Sequence, residues 1–482
     1  MKKYISYRRL TGYLGFAALL SLSACDEDKL LNTSPPTSLS SAYVFDTPDR
    51  VLGLVNGIYK GVKSANFYGG RYLLYLDVRG EDFINVTSNV YTAYESWNNS
   101  YSSGSNDIIS LWASAYSAIN LSNILIDGLA KNGTAIDATL AAQYTAEAKF
   151  LRALSYYSLV TIYARPYNEN NGSSPAIPLR LSPETTPENN GLKKSTVAEI
   201  YAQIIKDLNE AEAALPENYS TPLLNTTRAH KNTARALKTR VFLNQKNWDK
   251  VIEEAVKIVP QTTAPYSATA GVKHQLQNIS QIFTSDFTST ESILSVPFTS
   301  LDSYGGQSSI AYIYGANSEY YLNPQGIGGD SQFSATDARR GLLKVTSGRS
   351  FLTKFGTASP FLNYIPVIRY SEILLNYAEA TANKGQLTLA ANLLKAVHAR
   401  SDANYTFAES ALATNTALIN AIWKERRIEL LGEGFRSNDL LRNNLPLPAK
   451  SSSTLVSGQV SPSAENYIFP ISNAEIVTNK LL

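Results

Sequence analysis

Three glutamates near the C-terminal end of the chain have a spacing that acid–base chemistry could use. Glu425, Glu429 and Glu433 recur every four residues, which places their carboxylates on one face of a helix. Two carboxylates in different environments can cleave a glycosidic bond, provided that they face each other across a cleft. This segment is instead crowded with side chains that pair with carboxylates or with arginines: Arg426, Arg427, Arg436, Asp439 and Arg442. The pattern therefore favours ion pairs that tie C-terminal helices together over catalysis.

Other patterns that carry catalysis are sparse. The three histidines, His230, His274 and His398, do not have the spacing of a metal-dependent hydrolase. The sequence contains no Gly-x-Ser-x-Gly nucleophile elbow and no phosphate-binding glycine loop. We therefore predict no enzymatic activity, no metal site and no cofactor, while a structural calcium ion is left open without support.

Aromatic and polar side chains concentrate in two loop regions, residues 64–107 and 261–365. The chain contains 30 Tyr, 16 Phe and 4 Trp, and tyrosine combines an apolar ring with a hydroxyl group. Oligosaccharides expose flat C–H faces and hydroxyl groups, so they bind aromatic platforms flanked by Asn, Arg and carboxylates. The residues predicted to contact a ligand are Arg79, Tyr91, Tyr94, Trp97, Asn99, Tyr304, Tyr312 and Tyr314. For each tyrosine the structural alternative is loop packing.

The elements that must position these loops are helices. Apolar residues follow the helical period from Val197 to Leu215, Thr196 and Glu199 form a capping box, and Pro216 ends the stripe. Similar stripes predict helices at Ile108–Leu129, Tyr144–Tyr163, Thr233–Asn244, Trp248–Val259, Tyr370–Asn383, Thr388–Arg400 and Thr416–Leu431.

Two pairs of these helices are joined by tight turns. Thr233–Asn244 precedes Trp248–Val259, and Tyr370–Asn383 precedes Thr388–Arg400. Two helices of this length with a short turn match a tetratricopeptide unit, which must stack on neighbours to bury its apolar face. The sequence predicts a mainly α fold, a tetratricopeptide-like helical repeat scaffold with long irregular loops and a few short strands.

The N-terminus has the pattern of a secreted lipoprotein. Lys2, Lys3, Arg8 and Arg9 precede an apolar stretch at 12–24, which is too short to span about 30 Å of hydrocarbon. The stretch ends in Leu-Ser-Ala-Cys, which resembles a bacterial lipobox and predicts lipidation of Cys25, the only cysteine. An ordinary secretory signal with an incidental cysteine is the alternative.

The segment after Cys25 predicts an exposed tether. Its acidic start, Asp26-Glu27-Asp28-Lys29, resembles the surface-export signal of Bacteroidetes lipoproteins, and Ser, Thr and Pro enrich residues 30–44. The net charge of +3 falls to about −1 once the signal peptide is removed, so the mature chain has no basic surplus that suggests nucleic acid as a partner.

Several motifs, spread in order along the chain, are similar to those of the SusD/RagB family of nutrient-uptake lipoproteins. The departures are His398 and Lys149, where members often have arginine. The similar segments are Trp112–Asn123, Glu147–Ala153, Ile368–Ala380, Trp423–Leu430, Glu433–Arg436, Asp439–Arg442 and Phe469–Ser472 with Glu475, Ile476 and Asn479.

The resemblance implies a function and a division of the chain. It implies a surface lipoprotein of the outer membrane that captures an oligosaccharide and delivers it to a SusC-like, TonB-dependent β-barrel transporter. The RagB branch implies peptides as the alternative ligand, and a surface glycosidase or a purely structural repeat protein are further alternatives. The expected regions are a signal peptide (1–24), a lipidated tether (25–44), an N-terminal helical region (45–260), a loop-rich specificity region (261–365) and a C-terminal helical region (366–482).

Overall fold

The structure of the protein is a computed structural model that describes residues 44–132, 135–186, 188, 190–284 and 289–482. The predicted signal peptide, Cys25 and nearly all of the tether lie outside these residues. The helices of the described part are α1 Pro48–Val62, α2 Arg71–Val78, α3 Tyr94–Asn98, α4 Asn106–Asn132, α5 Ala138–Tyr163, α6 Val197–Ala214, α7 Pro222–Thr227, α8 Lys231–Asn244, α9 Trp248–Val256, α10 Tyr370–Asn383, α11 Leu387–Ala399, α12 Glu409–Leu412, α13 Asn415–Glu429, α14 Arg436–Leu441 and α15 Asn473–Thr478.

The predicted stripes are all helices, and the predicted fold class is confirmed. Helix α6 begins at the expected capping box: the Thr196 hydroxyl accepts from the Glu199 amide, and the Glu199 carboxylate accepts from the Thr196 amide. Its apolar stripe is buried, from Val197 to Ala211. Local capping and one apolar face therefore account for this helix.

The helices stack as paired units. Turns of three residues join α8 to α9 and α10 to α11, as the tetratricopeptide pattern predicts. Helix α9 packs on α10, and α13 packs on both α10 and α11, so each unit buries its apolar face against the next. The N-terminal half continues the stack through α4, α5 and α6.

Helix α4 is the most membrane-like helix of the described residues in length and apolar composition. It is long and apolar enough to cross a membrane, yet half of its most apolar 18-residue stretch is buried within the fold. It packs on α1 and α5, which identifies it as a core helix of the stack.

Short strands connect the two loop regions. The strands are β1 Phe83–Asn85, β2 Pro175–Pro178, β3 Lys194–Thr196, β4 Ser292–Val296, β5 Tyr320–Leu322, β6 Leu343–Thr346, β7 Arg349–Leu352, β8 Ile365–Arg369, β9 Lys450–Ser451 and β10 Val456–Ser457. Four of them form an antiparallel sheet in the order β1-β5-β7-β6, in which Ile84 pairs with Tyr321 and Tyr321 with Phe351. This sheet joins region 64–107 to region 261–365. A second sheet pairs β4 with β8, which leads directly into α10.

The region that the sequence presents as a loop at 64–107 contains more regular structure than its pattern indicates. All eight residues of α2 are buried, including Arg71 and Asp77. A helix buried on every side has no polar face, so its sequence carries no helical period. Helix α1, which the stripes also did not predict, begins at a Thr47 cap with Pro48 in its first turn.

One apolar core contains residues from all three predicted regions, from Val51 to Phe469. The region boundaries at 260 and 365 remain a prediction, based on where the helical stripes give way to loop-like sequence.

Candidate ligand-binding surface

Trp97 lies inside the protein. Its side chain has no exposed surface, and the indole Nε1 donates to the backbone oxygen of Phe83 at 2.8 Å. The Tyr94 ring stacks against it with 6.0 Å between centroids, and the Lys450 ammonium lies 5.5 Å from the indole. The ring that the sequence predicts as a platform is therefore covered on the side of the C-terminal segment.

Arg79 and Asn99 are also buried, and both contact the C-terminal segment. The Arg79 guanidinium donates to the backbone oxygen of Tyr467 at 2.6 Å and to the Tyr101 hydroxyl at 3.0 Å. The backbone oxygen of Asn99 accepts from the Asn466 side chain at 2.9 Å. Both residues therefore connect segment 79–101 to the C-terminal segment 450–469.

These two side chains have unused hydrogen-bonding capacity. In the part of the chain that the structure describes, Nε and Nη1 of Arg79 and both amide atoms of Asn99 lack a partner. A buried guanidinium with unmet donors is energetically costly. All three side chains are at most 3% exposed, so a ligand does not reach Arg79, Trp97 or Asn99 in this structure, and their role in binding stays a prediction.

Tyr314 packs in the core rather than on the surface. It is 1% exposed, and its ring lies 4.9 Å from the Phe83 ring and 6.1 Å from that of Tyr320. The Tyr320 hydroxyl in turn donates to the backbone oxygen of Thr92 at 2.7 Å. These rings hold the two loop regions together, which is the structural alternative that the sequence left open.

Tyr304 and Tyr312 are half-buried. The Tyr304 hydroxyl donates to the backbone oxygen of Lys63 at 3.1 Å, and its ring packs edge-on against Phe298. The Tyr312 ring lies 6.3 Å from that of Phe361. Both rings pack on one side and keep part of their surface in solvent, so ligand contact stays a prediction for each.

Tyr91 is the most exposed of the eight predicted residues, at 59%. Its backbone is fixed, because the Asn89 side chain accepts from the Tyr91 amide at 3.0 Å. The buried Glu319 carboxylate accepts from the hydroxyls of Thr87 and Thr92, which attaches this loop to β5. The Tyr91 ring is therefore exposed on a segment whose backbone is held by hydrogen bonds, three residues before the half-buried Tyr94.

Two further side chains of the sheet, Lys344 and Arg349, were not predicted as ligand contacts, whereas Tyr321 belongs to the tyrosine-rich loop 301–321 that the sequence offers for binding. Tyr321 of β5 is half-exposed, and the Arg349 guanidinium lies 4.7 Å from its ring. The exposed Lys344 ammonium donates to the backbone oxygen of Gly315 at 3.1 Å. The sequence signal that could have indicated this hairpin is the Ser347-Gly348 dipeptide. It forms a two-residue turn in which both φ values are positive. We give the name sheet surface to two groups of side chains: Tyr321, Lys344 and Arg349 on strands β5, β6 and β7, and Tyr91 and Tyr94 on the segment that Glu319 attaches to β5.

The three spaced glutamates are buried ion-pair partners, as the sequence predicts. Glu429 accepts from Arg369 at 2.7 Å, from Arg400 at 2.5 Å and from Arg339 at 2.9 Å. Burial alone would raise the pKa of Glu429, but the three guanidinium groups outweigh it and hold that pKa well below its ordinary value. The carboxylate is therefore ionised at neutral pH.

Its neighbours in the row are equally engaged. Glu433 pairs with Arg369 and Lys354, each at 2.8 Å, and Glu425 lies 2.6 Å from both Arg339 and His398. All three glutamates are at most 6% exposed. Carboxylates that are surrounded by cations and closed to solvent stabilise the packing of β8, α11 and α13 and do not face a substrate.

Within the described residues, no group of three or more His, Cys, Asp or Glu side chains has an arrangement that could hold a metal ion.

Comparisons with known proteins match nearly the whole chain. A family described as starch-binding and associating with the outer membrane matches residues 29–243, and the SusD family matches residues 357–482. The SusD-like protein P2 of Formosa agariphila is 24% identical over 96% of each chain.

Solved structures agree with these matches. A SusD superfamily protein from Bacteroides fragilis superimposes with a TM-score of 0.82 at 31% identity, covering 91% of this chain and 99% of that one. A laminarin-binding SusD-like protein has the same fold, with a TM-score of 0.69 at 23% identity over 91% of this chain and 99% of its own.

Proposed function

This chain belongs to the SusD/RagB family, and on that premise we propose that it captures an oligosaccharide at the outer membrane and passes it to a SusC-like, TonB-dependent transporter. A lipid on Cys25 anchors it to the membrane. The observation that carries the proposal is the match of residues 29–243 to a family described as starch-binding and associating with the outer membrane.

The sheet surface is the place where we expect the sugar to bind. Tyr91 and Tyr321 offer ring faces for the apolar side of a pyranose, and Arg349 and Lys344 offer donors for its hydroxyl oxygens. These side chains stand on strands and on a hydrogen-bonded turn, so little ordering is required when the ligand binds. Exposed polar contacts give moderate affinity, which suits a protein that must release its ligand.

Titration calorimetry with purified oligosaccharides tests the proposal. We expect Tyr91→Ala and Tyr321→Ala each to weaken binding about fivefold to fiftyfold, in line with the loss of one stacking contact. Tyr91→Phe is the matched control, since it keeps the ring and should retain most of the affinity. Binding that is equal in all variants would exclude the sheet surface, and selective binding of peptides instead of sugars would support the RagB-like alternative.

The proposal includes no chemical turnover. The row of glutamates that a glycosidase would use is committed to ion pairs inside the fold. Incubation with the same oligosaccharides, followed by chromatography, should return them unchanged, and products that accumulate beyond one equivalent would contradict the proposal.

Anchoring has its own test. Cys25→Ala should move the protein from the membrane fraction to the soluble fraction, because no thiol remains for acylation. A variant that stays in the membrane fraction and still carries an acyl chain in mass spectrometry would contradict Cys25 as the anchor and would leave the ligand proposal unaffected.

A further inference from the structure

A cavity of about 510 Å³ lies between α1, the segment 224–228 and the β4–β8 sheet. Its volume falls within the usual range of small-molecule sites, and none of the sheet-surface residues lines it. One face of α1 forms a wall, with Leu52, Asn56, Tyr59 and Lys60 spaced as neighbours along the helix. We call this cavity the α1 groove.

The interior of the α1 groove is apolar. Strand β4 contributes consecutive residues, and β8, α5 and α7 close the remaining sides. The apolar residues that line it are Leu52, Val62, Leu151, Leu224, Leu294, Val296, Pro297 and Val367. A neutral sugar requires a hydrogen-bonding partner for most of its hydroxyl groups, so this lining suits a hydrocarbon or aromatic body instead.

The charged residues of the lining are three cations and one carboxylate. The Lys63 ammonium is 7% exposed and donates to the Asp302 carboxylate at 2.8 Å. The Lys60 ammonium is 73% exposed and lies 3.9 Å from the same carboxylate. Arg228 pairs with Glu147, which is completely buried behind it and does not line the groove.

This charge distribution favours an anion at the mouth of the groove. One carboxylate cannot neutralise both lysines, and burial lowers the pKa of Lys63 despite Asp302. A second carboxylate beside Lys60 and the buried Lys63 would restore the balance of charge at the mouth.

We propose that the α1 groove binds an apolar monocarboxylate, with its hydrocarbon body on the β4–β8 floor and its carboxylate at Lys60 and Lys63. The bound acid is either an alkyl or an aryl carboxylate, since both present the same chemistry to this lining. The site is independent of the oligosaccharide proposed for the sheet surface, so either site can fail without the other.

Calorimetry on the mature chain with Cys25→Ala tests the site, because no anchor acyl chain then competes. The carboxylate probes are decanoate and 4-phenylbutanoate. Decanol, which is neutral, and decyltrimethylammonium, which is cationic, are controls with the same ten-carbon chain as decanoate. We expect one equivalent of at least one carboxylate to bind, at least fivefold more tightly than decanol, and the ammonium probe not to bind. Equal binding of decanoate and decanol, or no saturable binding of either carboxylate at millimolar concentration, would overturn the proposal.

Two variants locate the site. Lys60→Glu should weaken binding of the carboxylate roughly fivefold to tenfold, because an attraction at the mouth becomes a repulsion. Lys131→Glu is the matched control, since Lys131 is 69% exposed on α4 and does not line the groove. Leu224→Trp should fill the groove and abolish binding, while its thermal unfolding confirms that the protein still folds. Wild-type affinity in both Lys60→Glu and Leu224→Trp would place the bound acid elsewhere and refute the assignment.

Discussion

Glutamine has nearly the same shape as glutamate, yet Glu429→Gln should lower the free energy of unfolding by several kcal/mol. The carboxylate is fully buried and accepts from Arg339, Arg369 and Arg400 at 2.5–2.9 Å. Glutamine keeps the volume but removes the charge, so three buried guanidinium groups lose a shared counter-ion. Breaking a buried pair in this way typically costs about 3–5 kcal/mol.

The expected shift in melting temperature follows from the size of the chain. Unfolding entropy of about 2.1 cal/mol/K per residue gives roughly 1 kcal/mol/K for a protein of this length, so the cost corresponds to a decrease of about 3–5 °C. Differential scanning calorimetry at neutral pH measures it. The ligand affinity of the folded variant should be unchanged, because the cluster does not reach the sheet surface.

An exposed pair supplies the control. Glu253 lies 2.6 Å from Lys250, and both side chains are about half-exposed, at 50% and 49%. Glu253→Gln should change the melting temperature by less than about 1 °C, since solvent screens such pairs. If Glu429→Gln also melted within 1 °C of the wild type, the buried network would contribute no net stability and the reasoning would be refuted.

Two further predictions concern a buried histidine and two glycines. Burial lowers the pKa of His274 to about 4, against about 6.5 when unfolded, so the unfolded state binds the proton first as pH falls. The stability contributed by neutral His274 is complete above pH 6.5 and is lost towards pH 4, about 3 kcal/mol in all. Urea unfolding should therefore show wild type losing stability relative to His274→Asn across this window, and a constant difference would contradict it. Gly434→Ala should cost about 2–4 kcal/mol, because φ is +82° and a Cβ would lie 2.8 Å from the Leu73 Cα, whereas Gly385→Ala, at φ +76° with open space around it, should cost only about 1 kcal/mol.

The helical scaffold could be predicted because its signals are local. The stripe of α6, its Thr196 cap and the short turns between paired helices depend on residues close in sequence. The ion pairs of Glu425, Glu429 and Glu433 were predictable in kind for the same reason. Their partners were not, since Arg339, Lys354 and Arg369 come from segments 60 to 90 residues away.

The candidate site was less predictable because exposure is a property of the whole fold. Trp97 and Tyr91 are six residues apart on one segment and have the same aromatic character in sequence. One is completely buried and the other is 59% exposed. Part of the cover over Trp97 comes from Lys450, which follows it after more than 350 intervening residues, and no local sequence pattern predicts such a contact.

The abundance of tyrosine has a structural cause that competes with ligand binding. Irregular segments leave backbone carbonyls without a helix or sheet partner, and a buried carbonyl must be satisfied. Tyrosine hydroxyls do this repeatedly at distances of 2.6–3.1 Å: Tyr101 donates to Asn466, Tyr116 to Pro178, Tyr156 to Arg180, Tyr304 to Lys63, Tyr320 to Thr92 and Tyr467 to Leu445. These tyrosines therefore have a structural role whether or not the protein binds sugar. A ring whose hydroxyl is bonded to the backbone is committed to the loop, so Tyr91, which is exposed and forms no such bond among the described residues, is the stronger candidate for ligand contact than any of these six.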